Sequence, residues 1–312
     1  MRSNMKFPCM DGSIDVATIT NPGGCSGRFK KRVLAPAALG LSCLLMTGAA
    51  AGQIDGKPAG VPFRTVFPIS GPGTNWWRAE YDHPAGWFQT AWRKGAVEFG
   101  AAGVRMHLAP SAPADRVAID DIQSDDGSLL EAGKTSKEFV SGQVQRRNWY
   151  GYGRYEVIMQ AAAGKGLISA FYLYTGPHFG HSHEEITLEI LGKNTGKAHF
   201  NRFRDGAPLE QPPWVDLGFD AAAAPRLYTI DWSEEAIIWS AGGTELFRLT
   251  GAEQVPRPPM KIYFDLWAGG EKQAHWSGVA PKDTSASALV QCASYTPPEG
   301  GTPSCSELMT AE

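Results

Sequence analysis

Short stretches in which apolar and polar residues alternate recur through most of the chain, and this period of two constrains its fold more than any other feature. Examples are GRYEVIMQA, LISAFYLYTG, EEITLEILG, KAHFNRF, RLYTIDWS, AIIWSAGG and MKIYFDLWAGG. Residues two apart lie on the same face of a β-strand. Gly, Pro, Asp or Asn separates the stretches, and no internal repeat interrupts them. The pattern predicts an all-β sandwich.

The central part of the chain is predicted to be one domain. With 312 residues, 43% of them apolar, the chain is long enough to bury a large core, and all-β domains often run to 200–250 residues. We therefore expect a single domain over residues 63–296. The stretch GQIDGKPAGVP, residues 52–62, is interpreted as a flexible lead-in, and residues 297–312 as a loop-like tail.

The N-terminus has the pattern of a secretory signal peptide. Basic residues within 28–32 precede an apolar run over 33–46, and a small-x-small site follows at Ala49 and Ala51. We expect cleavage after Ala51, so that residues 1–51 are a signal peptide with a long n-region and the mature protein is secreted or periplasmic. An uncleaved membrane anchor is the alternative, although the run is short for a spanning helix.

The charge balance excludes one class of partner. The whole chain has a formal net charge of −3, and residues 1–51 contain six Lys/Arg and two Asp/Glu, which leaves 23 basic and 30 acidic residues and a net charge of −7. No basic patch of the nucleic-acid-binding type remains, so a nucleic-acid partner is not expected. We expect a monomer with no membrane association after signal cleavage.

Two cysteines remain after residue 51, Cys292 and Cys305. In an oxidising compartment an even pair at this spacing predicts a disulfide that anchors the tail. Two free thiols are the alternative. A metal site would need more ligands than the tail offers, so none is predicted.

One alternating stretch, EEITLEILG, places two carboxylates on a single face. Glu185, Thr187 and Glu189 share that face, and the apolar residues between them point the opposite way. Positions four apart in a strand are ~13 Å apart at Cα, and two Glu side chains that lean together could bring their carboxyls to ~5 Å. That separation suits a nucleophile and an acid/base in retaining glycoside hydrolysis. A solvated strand face has the same pattern, so the surrounding sequence must decide.

The surrounding sequence resembles glycoside hydrolase family 16. EITLEILG is similar to the family signature E-I-D-I-E-F-L-G, and the similarity to bacterial lichenases covers most of residues 70–295, including residues 148–177, 191–206, 217–243 and 260–278. The resemblance implies a jelly-roll sandwich of two curved antiparallel sheets, of the concanavalin A type. It also implies that Glu185 is the nucleophile and Glu189 the general acid/base.

The resemblance further implies a set of substrate-binding side chains in a groove, each of which could instead belong to the core. They are Trp149, Tyr174, Asn201, Phe203, Asp265, Trp267 and Trp276.

Several positions depart from the family pattern. Thr187 stands where the family has an Asp between the two glutamates, and Asp265 replaces an Asn that neighbours the catalytic pair. Gln143 and Gln145 stand where lichenases carry Glu and Arg, which indicates rebuilt distal sugar subsites. The C-terminal Asp through which lichenases bind a structural calcium has no counterpart in SALVQCASY, so neither a metal nor a cofactor is expected.

These observations favour a secreted, endo-acting, retaining β-glycan hydrolase whose partner is a polysaccharide. β-1,3-1,4-Glucan, β-1,3-glucan and an acidic bacterial exopolysaccharide all remain open as substrates. The alternatives are a transglycosylase and a non-catalytic glycan-binding protein on the same fold, in which Thr187 would mark loss of activity. A purely glycan-binding protein has no need of both Glu185 and Glu189.

Overall fold

The computed structural model describes residues 60–67, 75–118, 121, 131–301 and 303–309. The predicted signal peptide, residues 1–51, lies outside the described residues, as does most of the lead-in. Among the residues described, no helix has the length and apolarity needed to cross a membrane. The described residues belong to one compact unit, whose first strand begins at Phe63 and whose last strand ends at Thr296.

Nineteen strands and one short helix, α1 (Ala274–Ser277), are found in the described part of the chain. The strands are β1 (Phe63–Val66), β2 (Trp76–Arg78), β3 (Tyr81–Asp82), β4 (Thr90–Trp92), β5 (Val97–Gly100), β6 (Gly103–Pro110), β7 (Phe139–Ser141), β8 (Gln143–Arg146), β9 (Gly153–Gln160), β10 (Leu167–Thr175), β11 (Glu184–Leu191), β12 (Lys197–Arg204), β13 (Ala207–Pro208), β14 (Trp214–Asp216), β15 (Arg226–Trp232), β16 (Ala236–Ala241), β17 (Thr244–Thr250), β18 (Lys261–Ala268) and β19 (Ala286–Thr296).

The strands form two sheets, which confirms the predicted all-β sandwich. Sheet I has the order β17-β16-β15-β9-β19-β6-β7-β4-β3, with β1 beside β19 and β5 beside β6. Sheet II has the order β13-β12-β11-β10-β18-β8-β2, with β14 beside β12. Neighbouring strands are antiparallel, apart from the parallel pair β4 and β7.

The alternation of the sequence separates the two faces of sheet II. On β11, Ile186, Leu188 and Ile190 are fully buried in the main hydrophobic core. Facing residues from sheet I include Trp239, whose indole N–H donates to the backbone carbonyl of Thr187 at 2.9 Å. Full burial of an Ile or Leu side chain is worth about 1.5–3 kcal/mol. A slip of one residue in β11 would expose all three, so the core determines which side chains reach the opposite, open face.

The predicted disulfide between Cys292 and Cys305 is confirmed. Cys292 lies on β19, and both sulfurs are buried against Ile158 and Leu227. The tail was predicted to be loop-like, but a short 3₁₀ turn spans Cys305–Leu308. A capping box around Ser304 satisfies the N-terminal amides of this turn, so the disulfide and the cap order a segment that the sequence alone indicated as loop.

Candidate active site

The candidate site lies on the open face of sheet II, around β11. This strand is paired with β10 on one side and with β12 on the other. Glu185, Thr187 and Glu189 point to the open face because their apolar neighbours occupy the core. The register places Tyr174 and Phe203 beside Glu185, Tyr172 and Asn201 beside Thr187, and Ala170 and His199 beside Glu189.

Glu185 is held by a histidine two residues upstream. Its Oε2 accepts a hydrogen bond from Nε2 of His183 at 2.6 Å, which requires the ring proton on Nε2. The His183 ring is stacked on Phe203, with centroids 4.4 Å apart, and it meets the Tyr174 ring in an edge-to-face contact with centroids 5.4 Å apart. These rings restrict the imidazole, so one oxygen of Glu185 has a defined partner and the other is free to act.

Glu189 is held by a second histidine, from β12. Its Oε2 lies 3.2 Å from Nδ1 of His199, whose ring also contacts Trp214 and Trp276. Burial raises the pKa of Glu189; the hydrogen bond from His199 opposes that shift and the charge of Glu185 adds to it. Glu189 therefore keeps its proton to a higher pH than an exposed glutamate, as a general acid requires.

Thr187, the predicted auxiliary residue between the two glutamates, is buried at the floor of the site. Its backbone carbonyl accepts the indole N–H of Trp239, but its Oγ1 has no hydrogen-bond partner among the residues that the structure describes. The hydroxyl thus provides neither a charge nor a bond to Glu185 or Glu189.

Asp265, on β18, faces the same side of the sheet. Its Oδ2 accepts hydrogen bonds from the Tyr172 hydroxyl at 2.9 Å and from Nε2 of Gln143 at 3.1 Å. The amide of Gln143 also donates to Tyr172 at 3.0 Å and accepts from the Tyr81 hydroxyl at 3.2 Å. These four residues, Tyr81, Gln143, Tyr172 and Asp265, form one hydrogen-bonded network, and Gln143 links its other three members.

The predicted groove tryptophans Trp267 and Trp276 lie together at one end of the site. Trp267 is 6.0 Å from Trp276 and 4.4 Å from Phe88, measured between ring centroids. Phe88 follows the turn at residues 84–87, so the segment before β4 packs over this end of the sheet. Trp267 is only 6% exposed. Its indole therefore packs against neighbouring rings and leaves little surface on which a sugar could stack.

Two other predicted substrate contacts have structural partners. Trp149 is 5% exposed, packs edge-on against Phe179 at 5.0 Å and lies under the ammonium of Lys261. Asn201 uses its Oδ1 to accept the backbone amides of Arg202 and Leu209. Both side chains are thus engaged by other parts of the protein, whereas Tyr174 and Phe203 lie directly beside Glu185 in the sheet.

The histidines were not predicted as site residues, although the sequence contained a signal for both. His183 precedes Glu185 by two positions, and His199 precedes Asn201 by two in the alternating stretch KAHFNRF. A period of two places each on the open face. The period does not indicate that each imidazole contacts a glutamate.

No group of three or more His, Cys, Asp or Glu suited to holding a metal ion occurs within the ranges that the structure describes. This face of the sheet presents two carboxyl groups, each hydrogen-bonded to an imidazole, beside a third carboxyl on β18. When a partly buried carboxyl with a raised pKa lies next to a second, ionised carboxylate, the first can act as the acid and the second as the nucleophile.

Comparison with known proteins finds one matching family model and several similar proteins. The model of the family "Glycosyl hydrolases family 16" matches residues 86–284. The chain is 32% identical over 259 residues to a β-glucanase of Bacillus subtilis (strain 168), an alignment that covers 81% of this chain and 94% of the relative.

Solved structures of similar proteins have the same fold. A Bacillus licheniformis β-glucanase matches with a TM-score of 0.63 and 30% identity, over 76% of this chain and 98% of the other. A prokaryotic β-1,3-1,4-glucanase (lichenase) from a mouse hindgut metagenome matches with a TM-score of 0.65 and 27% identity, over 76% and 99%. The two-sheet topology and these neighbours confirm the jelly-roll fold class.

Proposed function

The chain belongs to glycosyl hydrolase family 16, and from this premise we propose that it is a retaining, endo-acting β-glucan hydrolase in which Glu185 is the nucleophile and Glu189 the general acid/base. The observation that carries the assignment is the pair of carboxyls on the open face of β11, each held by its own histidine. A solvated strand face would not leave the side chains of Glu185 and Glu189 only 18% and 15% exposed, nor hold each of them beside an imidazole that packs against aromatic rings.

In the first step, Glu185 attacks the anomeric carbon of the sugar bound beside it. The bond from that carbon to the glycosidic oxygen breaks, and Glu189 transfers its proton to the leaving oxygen. His183 engages Oε2 of Glu185, so the attack comes from Oε1. His199 engages Oε2 of Glu189, so the proton to be donated resides on Oε1.

In the second step, Glu189 acts as a base. It removes a proton from a water molecule, whose oxygen attacks the anomeric carbon of the glycosyl-enzyme and releases Glu185 as a carboxylate. Two inversions give net retention of the β configuration. A sugar hydroxyl in place of water would give transglycosylation by the same steps.

The identity of the glycan is tested with residues 52–312 on mixed-linkage β-1,3-1,4-glucan, β-1,3-glucan and an acidic β-glucan exopolysaccharide. We expect a rapid loss of viscosity on at least one polymer, as endo-cleavage requires, and products that first appear in NMR spectra as β-anomers. With an oligosaccharide as the substrate, products longer than that oligosaccharide would identify transglycosylation. No cleavage of any of the three, or α-anomers formed first, would refute the proposal.

We also propose that the protein is exported and that its mature form begins near Gly52. The proposal rests on the basic, apolar and small-residue pattern of residues 28–51, and the disulfide between Cys292 and Cys305 agrees with an oxidising destination. Intact mass of protein recovered outside the cytoplasm should correspond to residues 52–312 with two fewer hydrogens than the reduced chain. A mass that includes residues 33–51 would contradict it.

A further inference from the structure

Asp265 is a buried carboxyl without a cationic partner. It is 2% exposed, and within the part of the chain that the structure describes no Lys, Arg or His forms an ion pair with it. The two hydrogen bonds that it accepts from described residues, Gln143 and Tyr172, go to Oδ2, and Oδ1 has no partner among these residues. A buried carboxylate with one oxygen unsatisfied and no countercharge is costly.

Asp265 lies in one row with Glu189 across sheet II. Ala170 pairs with Glu189 on one side and with Asp265 on the other. Adjacent strands are ~4.8 Å apart, so the two Cα atoms are separated by about 10 Å. Only a methyl group stands between the two side chains, and the carboxyls can lean toward each other over it.

The other groups around Asp265 do not relieve this negative charge. Glu185 on β11 adds a second negative charge. Tyr172 on β10, Gln143 on β8, Tyr81 on β3 and Tyr263 on β18 itself are neutral. The imidazoles of His199 and His183 are hydrogen-bonded to Glu189 and Glu185. Two buried like charges at this range raise each other's affinity for protons.

We propose that Glu189 and Asp265 form a coupled carboxyl pair that holds one proton between them over the working pH range, so that Asp265 supplies from β18 the third carboxyl that position 187 lacks. The inference rests on the proposed function, in which Glu189 is the general acid. Burial, and then the charges of Glu189 and Glu185, raise the pKa of Asp265 to about 7 against the two hydrogen bonds at Oδ2, and burial raises the pKa of Glu189. Asp265 is a positioning residue for the proton of Glu189, not a group that touches the reacting atoms.

The test is the pH profile of Asp265→Asn. Asn keeps the shape of the side chain and can accept from Gln143 and Tyr172 through its amide oxygen, but it cannot ionise. The last proton of a coupled pair leaves at a higher pH than the proton of Glu189 alone. Removing the partner should therefore move the alkaline limb of kcat/KM to lower pH, by about one unit. The matched control is Asp231→Asn on β15 of sheet I, which also has a pKa raised by burial and should leave the limb unchanged.

A second test moves the carboxylate from position 265 to position 187. Thr187→Asp alone adds negative charge beside Glu189 and should move the alkaline limb to higher pH. Thr187→Asp combined with Asp265→Asn should return the limb to within about 0.3 units of wild type, because the site again contains three carboxyls. A double variant whose limb stays as low as that of Asp265→Asn would overturn the equivalence of the two positions.

A titration independent of turnover separates this inference from the proposed function. The carboxyl ¹³C resonance of Glu189, identified by its absence in Glu189→Gln, should titrate in two steps in the wild type and in one step in Asp265→Asn. A single, unchanged step in both proteins, or an alkaline limb that is unmoved or higher in Asp265→Asn, overturns the coupled pair even if the enzyme is fully active. Two-step titration in a protein that cleaves no glycan would support the pair and refute the proposed function.

Discussion

Replacement of Glu185 with Gln is expected to reduce turnover by about 10⁴-fold or more, because an amide cannot form the glycosyl-enzyme and nothing else on the open face of β11 is placed to do so. The change preserves the volume of the side chain and the hydrogen bond from His183, so loss of activity would report chemistry rather than packing. Initial rates on the polymer that the wild type cleaves, with circular dichroism and Tm as checks of folding, provide the measurement.

The chain offers a matched control at the preceding residue. Glu184 lies on the same strand but faces the opposite way, and its Oε1 accepts the backbone amide of Asp205. Glu184→Gln should keep most of the wild-type turnover. Azide should partly rescue Glu185→Ala and yield the product of inverted configuration, since the small anion takes the space of the missing carboxylate. If Glu185→Gln kept more than about a tenth of wild-type activity, the nucleophile would have to be another residue.

Replacement of Glu189 with Ala is expected to give a loss that depends on the leaving group. General acid catalysis typically contributes about 10²–10⁴-fold when the leaving oxygen needs a proton. Hydrolysis of the polysaccharide should fall by that amount, whereas formation of the glycosyl-enzyme from a dinitrophenyl glycoside, whose phenolate leaves unaided, should stay within about tenfold of wild type. Pre-steady-state release of dinitrophenol measures this first step without the slower hydrolysis of the intermediate.

The same variant distinguishes a role in proton transfer from a role in packing. Azide should react with the accumulated glycosyl-enzyme of Glu189→Ala and give a glycosyl azide of retained configuration, the opposite outcome to that at Glu185. His199→Phe is a useful comparison, because it removes the hydrogen bond to Glu189 while the aromatic contacts with Trp214 and Trp276 can persist. If Glu189→Ala lost equal activity on the polysaccharide and on the dinitrophenyl glycoside, Glu189 would not be the general acid.

Predictions from the sequence were most successful where a local period carries the information. The alternation in EEITLEILG predicted that Glu185, Thr187 and Glu189 share one face, and the three buried apolar residues of β11 confirm it. Predictions for single aromatic residues were less informative. Trp149 and Trp267 are largely buried, because a tryptophan on a groove-forming sheet can pack against neighbouring rings, such as Phe179 or Phe88, as readily as against a sugar.

By itself, the sequence determined the class of the fold, the strand that bears the two glutamates and the pair of cysteines that anchors the tail, since each depends on spacing along the chain or on the simple count of cysteines. The tertiary structure decided which side chains meet those glutamates. Tyr172 and Asp265 are 93 residues apart and bond to each other because β18 pairs with β10, and Asp265 faces Glu189 across Ala170 for the same reason. Proton affinity in the site depends on burial and on neighbouring charges, and both are properties of strand pairing over long separations that no local pattern encodes.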